Sequence, residues 1–136
     1  MKTYPLTVVT PDGCRYDGPA VRLVCRTIGG DVAILAGHCD FCTALGMGEA
    51  HVVTPEGDIR SAACIGGLLT VLGGRVRLIA TTWEWAEDID TDRAKRSLQQ
   101  AEARLKEPGL DAQTLQLASA QLRRALVRQS VAAARR

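Results

Sequence analysis

A change of hydrophobic period near Asp88 constrains this chain more than any other feature. Up to about Ala86, turn-forming clusters (TPDG at 10–13, IGG at 28–30, TPEGD at 54–58, LGGR at 72–75) separate short runs rich in Val, Leu, Ile and Thr. Punctuation at this spacing reads as an all-β domain, and a sandwich is its simplest form. The runs alternate as half-buried strands do. Val21, Leu23 and Cys25 share a face against Arg22 and Arg26, and Val76, Leu78 and Ala80 oppose Arg75 and Arg77. Gly73-Gly74 falls between two runs, where a two-residue hairpin turn needs positive φ.

From Asp90 the period is helical. Ala94, Leu98, Ala101 and Leu105 form one stripe, Pro108-Gly109 ends it, and Asp111 offers a second N-cap. Leu115, Ala118, Leu122 and Ala125 then repeat the stripe, which predicts an antiparallel two-helix hairpin over 87–136 after a β-sandwich over 1–86. Its seam of Ala94, Ala101, Ala118 and Ala125 buries little, at about 0.8 kcal/mol per CH₂. The hairpin is therefore expected to be mobile relative to the sandwich.

Length and charge narrow the function. The 136 residues suit one ordinary domain or two small ones. The most apolar stretch, IGGLLTVLGG, is broken by glycine pairs and falls short of the roughly 20 residues that cross a bilayer. Met1-Lys-Thr-Tyr-Pro leads straight into a strand and reads as no signal peptide. Residues 1–87 carry seven bases against nine acids, and 88–136 carry ten against six. After Asp111 there is no acid, yet Arg123, Arg124, Arg128, Arg135 and Arg136 follow, a tail suited to an acidic protein, a polyphosphate or nucleic acid. The nucleic-acid alternative, a small basic-helix binding module, lacks stacking residues, because no aromatic lies beyond Trp85. There is no P-loop, no H-E-x-x-H and no nucleophile elbow, so the chain reads as non-catalytic.

The five cysteines, odd in number, read as reduced thiols of a cytosolic compartment. Cys39-Asp-Phe-Cys42 follows His38, but no second pair completes a tetrahedral zinc site, so no metal is expected and the two thiols are read as packing groups. His38, in a glycine-flanked loop, is read as a structural hydrogen-bonding group more readily than as a ligand. Trp83 and Trp85, two apart, point to one side, either into the core or onto a partner-binding face.

Four stretches, VVTPDGCRYDG at 8–18, GGDVAILAGHCDF at 29–41, IGGLLTV at 65–71 and AEDIDTDRA at 86–94, resemble in order and spacing the epsilon subunit of F-type ATP synthases. The resemblance covers nearly the whole chain. It implies a β + α fold, with about ten strands in the sandwich followed by the helical hairpin. The implied role is that of a non-catalytic central-stalk subunit of a proton- or sodium-translocating complex. It would lie peripherally on the cytoplasmic face of the bacterial plasma membrane, without inserting into it. Its implied partners are the gamma subunit, the membrane rotor ring of c subunits and the alpha/beta catalytic hexamer, with no nucleic acid.

The resemblance also implies roles for residues. Asp31 and His38, taken to share a loop, would meet the rotor ring. Arg123, Arg124 and Arg128 would contact the hexamer when the extended hairpin inhibits ATP hydrolysis. Asp90 reads as a helix cap, worth about 0.5–2 kcal/mol, but a cap needs no arginine three residues later. Ile89-Asp90-x-x-Arg93-Ala94 resembles the ATP-recognition element of bacterial epsilon subunits. Glu84, Ile89, Asp90, Arg93, Ala94, Arg124 and Arg128 would hold ATP as a regulatory ligand, with no cofactor required. In that reading Ala94 leaves room for the adenine ring and the arginine forks take phosphate oxygens.

Overall fold

Seven strands form one continuous sheet: β1 (Tyr4–Thr10), β2 (Gly13–Ala20), β3 (Arg22–Thr27), β4 (Gly30–Leu35), β5 (Phe41–Val53), β6 (Ile59–Leu72) and β7 (Arg75–Trp85). Their order is β2-β1-β7-β6-β5-β3-β4. The computed structural model describes residues 2–134; Met1, and Arg135 and Arg136 of the basic tail, lie outside them. The chain divides into two units, Met1–Trp85 and Ala86–Arg136.

The strand count differs from the expected ten because three strands each cross from one layer to the other. In β5 the core residues are Leu45, then Ala50 and Val52; in β6 Ala62 and Cys64, then Leu69 and Val71; in β7 Val76, Leu78 and Ala80, then Trp83 and Trp85. Each interval between the two sets is odd, so the face turned to the core changes once along each strand. The breaks are aligned: the β5–β6 ladder runs Leu45↔Gly67 to Met47↔Ile65, and the β6–β7 ladder Ile65↔Thr82 to Gly67↔Ala80. A crease through Gly46, Gly66 and Thr81 folds the sheet without ending a strand. Gly67, at φ +128°, is the close approach that allows it. A Cβ there would run into the Ile79 carbonyl oxygen and come within 2.8 Å of the Ala80 Cα.

Folding at the crease brings the two ends of the sheet together. The Tyr4 hydroxyl on β1 donates to the Ile34 carbonyl on edge strand β4 at 2.7 Å. One core results, in which Leu6, Val8, Leu23, Ile34, Leu69 and Leu78 are fully covered. Strands β1 and β7 pair in parallel, Leu6↔Val76 to Val9↔Ile79, while every other pair is antiparallel. At the β6–β7 turn Gly73 and Gly74 take φ +57° and +80°, as the hairpin reading required. Trp83 and Trp85 belong to the core, meeting edge to face at 5.3 Å between ring centroids. The Arg60 guanidinium lies over Trp85 at 3.8 Å. A partner-binding role for the tryptophans is therefore set aside.

The second unit opens with a 3-10 turn, Ala86–Asp88, followed by α1 (Thr91–Leu105) and α2 (Ala112–Ala133). Asp90 and Asp111 are the N-caps, accepting from the Arg93 N–H at 3.0 Å and the Thr114 N–H at 2.7 Å. Ala94, Ala101, Ala118 and Ala125 are buried. Gln121 Nε2 donates to the Ser97 hydroxyl at 3.1 Å and the Ser97 carbonyl at 3.3 Å, which fixes the register. By that register Ala94 lies level with Ala125, and Ala101 with Ala118. Leu115 was expected in the seam but is 47 % exposed: it faces the last turn of α1, where the seam ends. No helix among the described residues is long and apolar enough to cross a membrane.

Candidate functional site

The junction between strand and helix is built from the cap outward. Asp90 is extended (φ −78°, ψ 99°), which turns its carboxylate onto the first free N–H groups of α1. Ile89 is buried just before it, and its N–H reaches the Ala86 carbonyl at 3.4 Å. Arg93 and Asp92 are exposed on the first turn of α1. Ala94 is covered, so its methyl fills the seam and lines no open space for an adenine ring in this conformation.

The register of the hairpin carries Arg124 and Arg128 to the same end, level with Ala94 and Asp90. Both are half-buried, one turn apart on one face. Six of the seven residues assigned to ATP thus share one end of one unit. Glu84 belongs to the other unit, on β7 opposite Ala63. It lines a hollow of about 180 Å³ with Thr10, Asp12, Arg15, Thr81 and Thr82. Arg123 separates from the other two arginines. It is exposed and borders a broad groove of about 620 Å³ along the first half of α2, beside Leu115, Leu117 and Ala120.

Asp31 and His38 do not share a loop. Residues 32–35 between them belong to edge strand β4 and 36–37 to the turn after it, so Asp31 lies near the strand's start and His38 beyond its end. Four strand steps of about 3.3 Å carry the chain roughly 13 Å from Asp31 to Leu35, where a turn closed by the His38 N–H on the Leu35 carbonyl follows. Asp31 is paired with Arg26 at 3.1 Å beside the β3–β4 turn. His38 Nδ1 lies 2.7 Å from the Cys39 carbonyl, so that nitrogen carries the proton and donates, and the ring tilts against Phe41. Asp40, which the sequence reading passed over, ties this loop to the β6–β7 turn by accepting from the Gly73 N–H at 3.0 Å. Cys39 and Cys42 are exposed, so they are not the packing groups expected. Among the described residues no three His, Cys, Asp or Glu side chains converge as a metal site would require.

The outer face of the sheet carries a surface the sequence reading missed. Val9, Ile79, Leu68 and Ala44 are consecutive register partners across β1, β7, β6 and β5, with Ile79 and Leu68 exposed. Ile28, 77 % exposed at the β3–β4 turn, donates its N–H to the Ala44 carbonyl and extends the row. Its signal was Leu68-Leu69 and Leu78-Ile79, adjacent apolar pairs that leave one side chain of each outside.

The family model for the ATP synthase delta/epsilon chain β-sandwich domain matches residues 3–86. That for the long α-helix domain of the same chains matches 87–133. An ATP synthase epsilon chain of Shouchella clausii is 35 % identical over 132 residues, covering 97 % of this chain and 96 % of the relative. One from Ruminococcus albus is 35 % identical over 133 residues, covering 97 % and 98 %. The fold is similar to a chain in the mitochondrial ATP synthase of Euglena gracilis, with a TM-score of 0.83 at 22 % identity over 94 % of this chain and 80 % of that one.

Proposed function

Because this chain belongs to the ATP synthase delta/epsilon family, as an epsilon-type, non-catalytic subunit, we propose that it couples gamma to the rotor ring of c subunits and restrains ATP hydrolysis through its helical hairpin. Nothing in the comparisons supports the nucleic-acid alternative. The apolar row of Val9, Ile79, Leu68, Ala44 and Ile28 is the natural seat for gamma, since an exposed apolar strip on a sheet is best covered by protein. Asp31 and His38, at opposite ends of β4, would touch the ring at two places rather than one. The complex would hold the subunit peripherally at the cytoplasmic face of a bacterial plasma membrane.

The observation that carries the regulatory reading is the hairpin register. It levels Arg124 and Arg128 with Asp90, Arg93 and Ala94, so a polyphosphate at that end would bridge both helices only while they are zipped together. ATP would then stabilise the closed hairpin by binding it better than the open one. Extended, the hairpin would offer Arg123, Arg124 and Arg128 to acidic segments of the alpha/beta hexamer. Two experiments test this. Truncation after Glu87 should raise the ATPase rate of an assembled complex, and an unchanged rate removes the inhibitory role. Calorimetry of the whole chain with MgATP should give heat that Arg93→Ala and Arg128→Ala abolish; silence up to millimolar ligand leaves Asp90 as a cap alone.

A further inference from the structure

Strands β5 and β6 carry a serine, a histidine and a carboxylate together on their outer face, and none of the three belongs to the junction site or to the apolar row. Ala50 and Val52 point into the core, so Glu49 and His51, two apart on β5, point out. On β6 Ala62 points in and Ser61 out, and the register sets His51 directly opposite Ser61. His51 Nδ1 lies 3.0 Å from the Ser61 hydroxyl, and its Nε2 lies 3.7 Å from Glu49 Oε1. All three side chains are partly open to solvent, so a reagent can reach them.

The two ring nitrogens face different groups. A carboxylate only accepts, so the ring proton is favoured on Nε2, toward Glu49. Nδ1 then presents a lone pair, and the Ser61 hydroxyl donates to it. A hydroxyl that donates to an imidazole, whose far nitrogen faces a carboxylate, is the arrangement that activates serine as a nucleophile. Strands hold it rather than a loop, since Val24, His51 and Ser61 are successive partners across β3, β5 and β6. Ladders of this kind occupy the backbone N–H groups, so they build no oxyanion hole there. Reaction is thereby confined to acyl donors whose leaving group departs without a proton.

We propose that Ser61 is an acylation site for activated acyl donors, the class of acyl phosphates and aryl esters, with His51 as its base and Glu49 holding the ring. The Ser61 oxygen bonds to the acyl carbon and its proton passes to His51 Nδ1, then to water. The bond from that carbon to the leaving oxygen breaks, and the phosphate or phenolate departs with the electron pair. The product is an acyl-serine, a modification and not a turnover activity. It stands whether or not the helical hairpin regulates hydrolysis.

Acetylation of the full chain by p-nitrophenyl acetate at mildly alkaline pH tests it, with the exposed thiols first blocked by iodoacetamide and the acetyl group located by peptide mass spectrometry. Ser61 should react roughly a hundredfold faster than Ser130, an exposed serine, which is the low end of what a general base supplies. His51→Gln can still accept the hydroxyl's hydrogen bond but cannot take its proton, and it should bring Ser61 down to the rate of Ser130. Nitrogen NMR of the wild-type histidine rings should find the His51 proton on Nε2. Ser61 reacting no faster than Ser130, or as fast in His51→Gln as in wild type, overturns the proposal. So does a wild-type ring with its proton on Nδ1, because that ring would donate to Ser61 and could not act as its base.

Discussion

Gly67→Ala should be among the most damaging single-methyl changes in the sandwich, and Gly13→Ala is its control. Both glycines have nearly the same φ, +128° and +130°, so both variants carry similar backbone strain, about 1–3 kcal/mol each. At Gly13 a Cβ meets nothing within 4 Å. At Gly67 it meets Ile79 and Ala80 main chain, which has no rotamer to yield, and overpacking of this kind costs a further 1–3 kcal/mol or so. The difference between the variants therefore isolates the crease. Urea unfolding followed by tryptophan fluorescence reads the sandwich alone, because Trp83 and Trp85 both lie in its core. With a slope near 1 kcal/mol per molar urea, typical of a small domain, Gly67→Ala should unfold roughly 1–3 M earlier than Gly13→Ala. Midpoints within about 0.5 M of each other would mean that the sheet is not creased through Gly67.

Three other outcomes are expected. In the native protein a thiol reagent at pH 8 should modify Cys14, Cys39 and Cys42, which are exposed. It should spare Cys25 and Cys64, whose thiols burial pushes up to about 11 and about 12, until denaturant unfolds the sandwich. Asp111 is held below its ordinary carboxylate range by hydrogen bonds from Thr114, so its cap is worth most above pH 3.8 and is lost as pH falls through the lowered value. The helicity deficit of Asp111→Ala should persist at pH 5 and vanish in strong acid; a deficit that survives there refutes the cap. Leu68→Asp with Ile79→Lys should leave urea stability within about 1 kcal/mol yet abolish gamma binding in a pull-down, and retained binding would move the gamma face elsewhere.

Local rules made much of this structure legible in the sequence. Asp90 and Asp111 announced two helices because capping depends on a few neighbouring residues, and Gly73-Gly74 announced its turn for the same reason. What escaped depends on long-range geometry. The crease at Gly46, Gly66 and Thr81 lets three strands pair without a break while serving both layers, so the ten strands that the resemblance implied are seven by pairing. Asp31 and His38 seemed loop neighbours because DVAILAG offers no alternation to betray an edge strand. Among the site residues, sequence named the arginines, but only the Ser97–Gln121 contact put Arg124 and Arg128, rather than Arg123, level with Asp90.

The pairing of β1 with β7 has a consequence for how the protein is made. Val9 is synthesised 70 residues before its partner on β7, Ile79. At about 5–20 residues per second that is a wait of roughly 4–14 s. Throughout it, the β1–β2 hairpin has an open edge and nothing to lie against. Nascent chains stalled before Ile79 should therefore be the ones that chaperones hold, and release should coincide with emergence of the last strand, while the hairpin is still being translated.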